Sequence, residues 1–258
     1  MQTTITSDHR RLGDWALEAR ISAEDRARRQ ASVFHQTLQL STTLDGPNFR
    51  KIALADLQRM SLLIDEFFFD GRLLPLARRE GLRFKLSQRM TKTAGRTTMF
   101  HAANGQRRHY EVTLSTTLLF QTFLDVHRPI AVTGLICHSR LEAMQRVVEH
   151  ELLHLLELMV WNQSACHLPQ FQKMAGGLFG HRSHQHELIT QTERAADRYG
   201  VRLGARVAFH VDGQRIIGIV NRITRRATVL VPDPAGEPFS DGRRYRRYYV
   251  PLAALRPA

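Results

Sequence analysis

The residues best suited to chemistry gather in VVEHELLHLLE, Val147 to Glu157, where His150, Glu151 and His154 stand in the spacing HExxH. On a helix, residues i and i+4 share a face, so both imidazoles can aim at one metal ion. Glu151 lies about 100° further round the same helix, within reach of a water on the metal's open position, whose proton it can take. Zinc is the expected metal and hydrolysis the expected chemistry. The flanking Val147, Val148, Leu152, Leu153, Leu155, Leu156, Leu158 and Met159 make the helix apolar on nearly every side, and hence buried. Two imidazoles and a carboxylate in such a place need partners. Each unpaired neutral group costs about 1–3 kcal/mol, and one cation answers all three.

Catalytic zinc takes three protein ligands and leaves a position for water. The metzincin continuation would need a glycine and a histidine where Glu157 and Val160 stand, which excludes that class. The residues leave two routes open: a later glutamate, Glu187 or Glu193, or a later histidine, His167, His181, His184 or His186. Cys166 is a further competitor for the metal. Glu157, one turn beyond His154, either orients a ligand or is a helix-surface acid.

At 258 residues the chain can bury one sizeable core and a small second domain. Its net charge of +13 predicts an acidic partner, with nucleic acid ahead of an anionic membrane. The start, MQTTITSDHRRLGDW, has no apolar leader segment, and no apolar run approaches the roughly 18–20 residues that span a bilayer. A cytoplasmic location is expected. The cysteines, Cys137 and Cys166, make no disulfide framework, which fits a reducing compartment.

The elements that must position the site follow from periodicity. After frayed residues to about Arg10, the spacing predicts a helix from Leu12 to Leu40, docked loosely, with the turn Asp45-Gly46-Pro47 as a boundary. A core-facing helix over Leu54–Phe69 ends at Asp70-Gly71. Three strands follow, in LRFKLSQRM, Thr97 to Ala102 and Arg108 to Leu114, the last two joined by the turn Asn104-Gly105, and together they predict an antiparallel sheet. A short helix over Thr116–Leu124, a loop with an edge strand over His127–Cys137, the HExxH helix from Arg140 to Trp161 and a helix from Pro169 to Leu178 complete this part. From Val201 the pattern is all-β: ARVAFHV, QRIIGIVNRI, ATVLVP and RRYRRYYV are short strands, the last preceded by the long turn DPAGEPFSDG.

This ordered set of motifs resembles the SprT-like zinc metalloproteases over about Leu57 to His186. LIDEFFFDGRLLP resembles the family's N-terminal helix and its exit, LSQRMTKTAGRT its first hairpin, VVEHELLHLLE its catalytic helix, and CHLPQFQKMAGGLFGH the downstream stretch in which a histidine supplies the third ligand. The resemblance places that ligand on His167, with Phe171 packing behind it, and implies cleavage of proteins, which eukaryotic members carry out on proteins crosslinked to DNA. Many relatives carry a four-cysteine zinc ribbon after the protease domain, where this chain has no cysteine. The tail, with VNRITRRATVLV and YVPL, looks like that of a bacterial subgroup.

The resulting expectation is an α+β protein: an N-terminal helical extension (1–50), a minimal zincin-type metalloprotease domain of helices plus a small antiparallel sheet (51–192), and a basic SH3-like β-barrel (200–258). Zn2+ would be held by His150, His154 and His167, with Glu151 as general base on a protein substrate. In the tail, Arg222, Arg225, Arg226, Arg243, Arg244, Arg246 and Arg247 alternate with Tyr245, Tyr248 and Tyr249, a composition suited to phosphates and stacked bases. The contrasting expectation is a non-catalytic, zinc-stabilised nucleic-acid-binding protein.

Overall fold

The computed structural model describes residues 6–101 and 108–258 of a mixed α+β chain that divides into two compact units. The first comprises Met1–Phe123 and Arg128–Leu188, the second Leu124–His127 and Ile189–Ala258.

The first unit opens with α1 (Ser7–Glu18) and α2 (Ala23–Leu40), not one long helix. The break has a local cause: Ser22 is the N-cap of α2, its Oγ accepting from Asp25 N at 3.1 Å. Neither helix is a loose appendage. Leu12, Ala16 and Val33 are buried, and a Cβ on Gly13 would lie 2.7 Å from Val160 Cγ1, so only a glycine lets α1 come this close. Both helices thus pack into the first unit.

Next come α3 (Leu54–Phe69), which buries Leu57, Met60, Ile64 and Phe68 on one face, and α4 (Leu73–Arg79). Asp65 is buried because its carboxylate accepts from Leu73 N and Leu74 N at 2.9 and 3.1 Å, capping the start of α4. Strands β1 (Arg83–Ser87), β2 (Gly95–His101) and β3 (Arg108–Ser115) form a sheet in the order β1-β3-β2. The pairing of β2 with β3 is antiparallel, from Gly95↔Leu114 to His101↔Arg108, but β1 pairs with β3 in parallel. This corrects the all-antiparallel expectation. Consecutive strands β1 and β2 are not neighbours, because β3 returns between them, and local sequence does not encode that choice. The turn Asn104-Gly105 lies outside the described residues.

After α5 (Thr116–Gln121), a hairpin of β4 (Ile130–Val132) and β5 (Leu135–Cys137) leads into α6 (Arg140–Trp161), which bears the HExxH motif and has the expected bounds. Then α7 (Pro169–Met174) runs into a π-helical turn, Ala175–Phe179, whose Phe179 packs on Phe68 at 4.8 Å between ring centroids.

Two buried charge networks fix α6. At its start the Arg140 guanidinium, 4% exposed, donates to the carbonyls of Leu119, Phe120, Thr122, Asn48 and Phe49. At its end Arg108 donates to Met159 O at 3.1 Å and to Glu80 at 2.8 Å, and Glu80 also meets Tyr110 Oη at 3.0 Å and His9 Nε2 at 2.9 Å.

In the second unit, α8 (Gln191–Tyr199) is followed by β6 (Arg206–Val211), β7 (Gln214–Ile223), β8 (Arg226–Pro238), β9 (Arg244–Pro251) and the short β10 (Arg256–Pro257). The strands pair antiparallel in the open order β10-β6-β7-β8-β9. The sheet is therefore not closed into a ring by hydrogen bonds. Val207, Phe209, Val220, Val229 and Val250 line its inner face with Ala195 of α8. More than half of the anticipated long turn is strand, since β8 runs on to Pro238 past a register shift between Pro232 and Glu237. Arg194 of α8 holds Asp125 through bonds of 2.6–3.0 Å, which ties residues 124–127 to this unit. Among the described residues no helix is long and apolar enough to cross a membrane.

These networks set two expected outcomes. Arg140→Ala should cost about 3–5 kcal/mol and lower Tm by roughly 10 °C in a thermal melt, since five carbonyls lose a charged donor. Burial alone would raise the Glu80 carboxyl, but bonds from His9 and Arg108 outweigh it and hold the pKa at about 2, against 4.5 unperturbed. A lowered folded pKa stabilises above the unfolded value and loses that contribution as pH falls from 4.5 toward 2. Denaturant melts of Glu80→Gln should lack this component, worth about 2–3 kcal/mol.

Candidate metal centre

His150 and His154 project from α6 with Nε2 atoms 3.0 Å apart. Cys166 Sγ, from the turn after α6, lies 3.3 Å from His154 Nε2 and 3.6 Å from His150 Nε2. The three side chains form a group able to hold a metal ion. A tetrahedral zinc with bonds of about 2.0–2.1 Å to nitrogen and 2.3 Å to sulfur separates its ligands by roughly 3.3–3.6 Å; the two sulfur–nitrogen separations lie in that range, and the nitrogen pair, at 3.0 Å, is closer than it.

The tautomer of His154 is fixed from behind. Ser164 Oγ donates to Glu157 Oε2 at 2.6 Å and so must accept from His154 Nδ1–H, also at 2.6 Å. That leaves the Nε2 lone pair of His154 facing the other donors. Glu157 is fully buried and is thus the orienting group of its two expected roles, not a surface acid. Phe171 packs behind the imidazoles, with centroids 4.5 Å from His154 and 5.0 Å from His150.

The electrostatics favour one positive charge among these atoms. Burial pushes the His150 pKa far down, and His154 pushes it further, so this ring stays neutral. Burial also opposes charge on His154, but Cys166, Glu157 and Glu151 outweigh it and hold that pKa well above the imidazole range. A cation held by all three donors would supply that charge in place of the proton on His154, leaving both Nε2 lone pairs to bind it.

Glu151 is 5% exposed and lies beside the same cleft, which has a volume of about 580 Å³ and is lined by β2, α6 and the segments around Cys166 and His184. Thr97 Oγ1 of β2 is 2.7 Å from Glu151 Oε2 and 2.9 Å from its carbonyl oxygen. Burial raises the carboxyl pKa, although His154, Thr97 and Arg96 pull against it. Gly95 is a glycine for a plain reason: its Cβ would stand 2.5 Å from Glu151 Oε1.

The other candidates sort cleanly. His167 is exposed and lies outside the metal group, whose third place is taken by its neighbour Cys166. His181 is buried against Glu149 Oε2 at 3.1 Å, on a carboxylate that Arg146 also holds at 2.8 Å. His186 Nε2 accepts from Ala94 N at 3.1 Å, while His184 is exposed on the cleft wall. Glu187 is 60% exposed beside Arg128, and Glu193 belongs to the second unit. Cys137 is an inert buried thiol, its pKa pushed up to about 12 by desolvation. Thr97, Ser164 and Gly95 were not legible as site residues, since their importance lies in what they touch.

In the tail, Arg222, Arg225, Arg226, Arg243 and Arg244 are exposed. Arg246 and Arg247 are committed to Asp233 and Glu237 at 2.8 and 2.7 Å. Tyr245, expected to stack on a base, is instead 5% exposed, with its hydroxyl donating to Asp241 at 2.8 Å. It is covered locally by Phe239, whose ring centroid lies 5.3 Å from its own, beside the register shift in β8.

Compared with protein-family models, with curated proteins and with solved structures, the chain finds no match.

The relay behind His154 yields a direct test. Ser164→Ala or Glu157→Gln should weaken zinc affinity about 10–100-fold in a competitive chelator titration, with the far-ultraviolet circular dichroism unchanged for Ser164→Ala.

Proposed function

We propose that the chain is a zinc-dependent peptide-bond hydrolase of the kind its resemblance to SprT-like metalloproteases implies, with His150, His154 and Cys166 as ligands and Glu151 as general base. One observation carries the reading: a desolvated carboxylate, held by Thr97, shares an open cleft with a three-donor metal group. The same support extends to a zincin-type reading of the first unit, and the five-stranded order supports an SH3-like reading of the second.

Bound zinc would act as a Lewis acid that makes a water nucleophilic near neutral pH and polarises the scissile carbonyl. The rest is work for the chain's own residues. Thr97 engages Glu151 Oε2 and holds the carboxylate in place, and that carboxylate takes the proton from water. Burial raises the basicity of this carboxylate, so it holds that proton better than an exposed glutamate would. The proton is then returned to the leaving nitrogen. The cleft beside β2 has a volume of about 580 Å³, and its substrate in this reading is a flexible protein segment.

A thiolate among the ligands also suits a structural zinc, and in that rival reading Glu151 has no chemical task. The two part company in one experiment. Glu151→Gln should retain about one zinc per chain by elemental analysis and lose at least about a thousandfold in cleavage of an unfolded protein. Cys166→Ala should lose zinc while His167→Ala keeps it. Unchanged proteolysis in Glu151→Gln would defeat the mechanism, and zinc lost from His167→Ala but kept in Cys166→Ala would restore the ligand set that the resemblance implies.

A further inference from the structure

The second unit contains eleven arginines and no lysine from Val201 to Ala258, against Asp212, Asp233, Glu237 and Asp241, yet the hydrolase reading gives this charge nothing to do. The strand registers divide it between two faces. Val207, Val220, Val229 and Val250 point into the core. The alternate residues form the outer face, on which Leu230 is itself buried and Thr228 half-buried while Tyr249 and the arginines are exposed. One row across the sheet reads Arg206, Ile219, Leu230, Arg247, and the next reads Arg222, Thr228, Tyr249.

Tyr249 is 63% exposed, the most exposed of the large apolar or aromatic side chains among the described residues. Ile219, at 39% exposed, lies on the same face. Arg206, Arg222 and Arg226 are exposed and make no ion pair among the described residues, while Arg247 shares its charge with Glu237. Strands lie about 4.8 Å apart and residues two apart along a strand about 7 Å, so Arg222 is about 10 Å from Tyr249 and Arg247 about 7 Å. An aromatic ring with guanidinium groups one to two nucleotides away on either side is the pattern of a sheet that stacks a base and pairs the flanking phosphates.

We propose that this outer sheet face is a binding site for single-stranded nucleic acid, with Tyr249 as the stacking platform and Arg206, Arg222 and Arg226 as the phosphate contacts. Charge complementarity names a polyanion. The exposed ring narrows it to single strands, because a duplex keeps its base faces stacked on one another. The site contains no residue of the metal group, so zinc content and nucleic-acid binding are read separately.

The test uses the full chain and fluorescence anisotropy with labelled oligo(dT) and oligo(U) of about 20 nucleotides, longer than the roughly 4–16 that one small β module covers. Both should bind, with affinity falling steeply as salt rises from about 50 to 200 mM. Tyr249→Ala should weaken binding about tenfold, whereas Tyr249→Phe, which keeps the ring, should stay within about twofold. Replacing Arg222 and Arg226 together by Ser should lower the slope of log affinity against log salt by about 1.4. At 63% exposure Tyr249 can be replaced without disturbing the fold, which circular dichroism checks. Equal affinity of Tyr249→Ala and the parent, or a duplex of the same length bound as tightly as the single strand, would overturn the proposal. So would binding to phosphatidylserine vesicles with none to either oligonucleotide, which would make the face a membrane surface.

Discussion

A helix with apolar neighbours on every side must find a partner for each polar group it carries, and α6 carries many. Arg140, Gln145, Glu149, Glu151 and Glu157 are all buried. Each is answered by a different element: Arg140 by carbonyls of α5 and of the segment before α3, Gln145 by Gln30 O of α2, Glu149 by His181 after the π turn, Glu151 by Thr97 of β2, and Glu157 by Ser164 of the turn beyond α6. A single unmet charge there would cost several kcal/mol, comparable to much of a domain's net stability. The positions of the surrounding elements are thus set by polar demands arising on one helix, with apolar packing filling the space between.

That dependence explains what could be read in advance. The bounds of α6 follow from a continuous apolar pattern with Ser139 before it, and the two histidines four apart must share a face. The third donor is different in kind. In a turn, neighbouring residues point in opposite directions, so whether Cys166 or His167 meets the helix depends on a rotation that spacing does not encode. The parallel pairing of β1 with β3 was likewise hidden, because it depends on which strand inserts between two others. Helix α8 did carry a local signal, Thr190 followed three residues on by Glu193, with Thr190 Oγ1 accepting from Glu193 N at 3.2 Å. Its polar, histidine-rich surroundings masked it.

In the tail, composition was a good guide to charge and a poor one to exposure. The RRYRRYY run contains one tyrosine packed against the core, Tyr248, one covered by Phe239, Tyr245, and one exposed, Tyr249. Strand alternation separates them only once a register is known, because a shift of one residue exchanges the faces. The arginines divide by the same rule.

Gly95 bears on how the cleft can move. Its missing Cβ lets the backbone of β2 sit against the Glu151 side chain, and Thr97 fastens the same strand to α6 two residues later. The sheet and the helix that bears the base therefore act as one rigid jaw. The opposite jaw is attached through side chains, by Ser164 on His154 and Glu157 and by Phe171 against the imidazole rings. Widening of the cleft falls to that second jaw, which carries Cys166, and to the wall around His184. The base keeps its place on α6 throughout such a movement, while the separation between the thiol and the imidazoles is the dimension that varies.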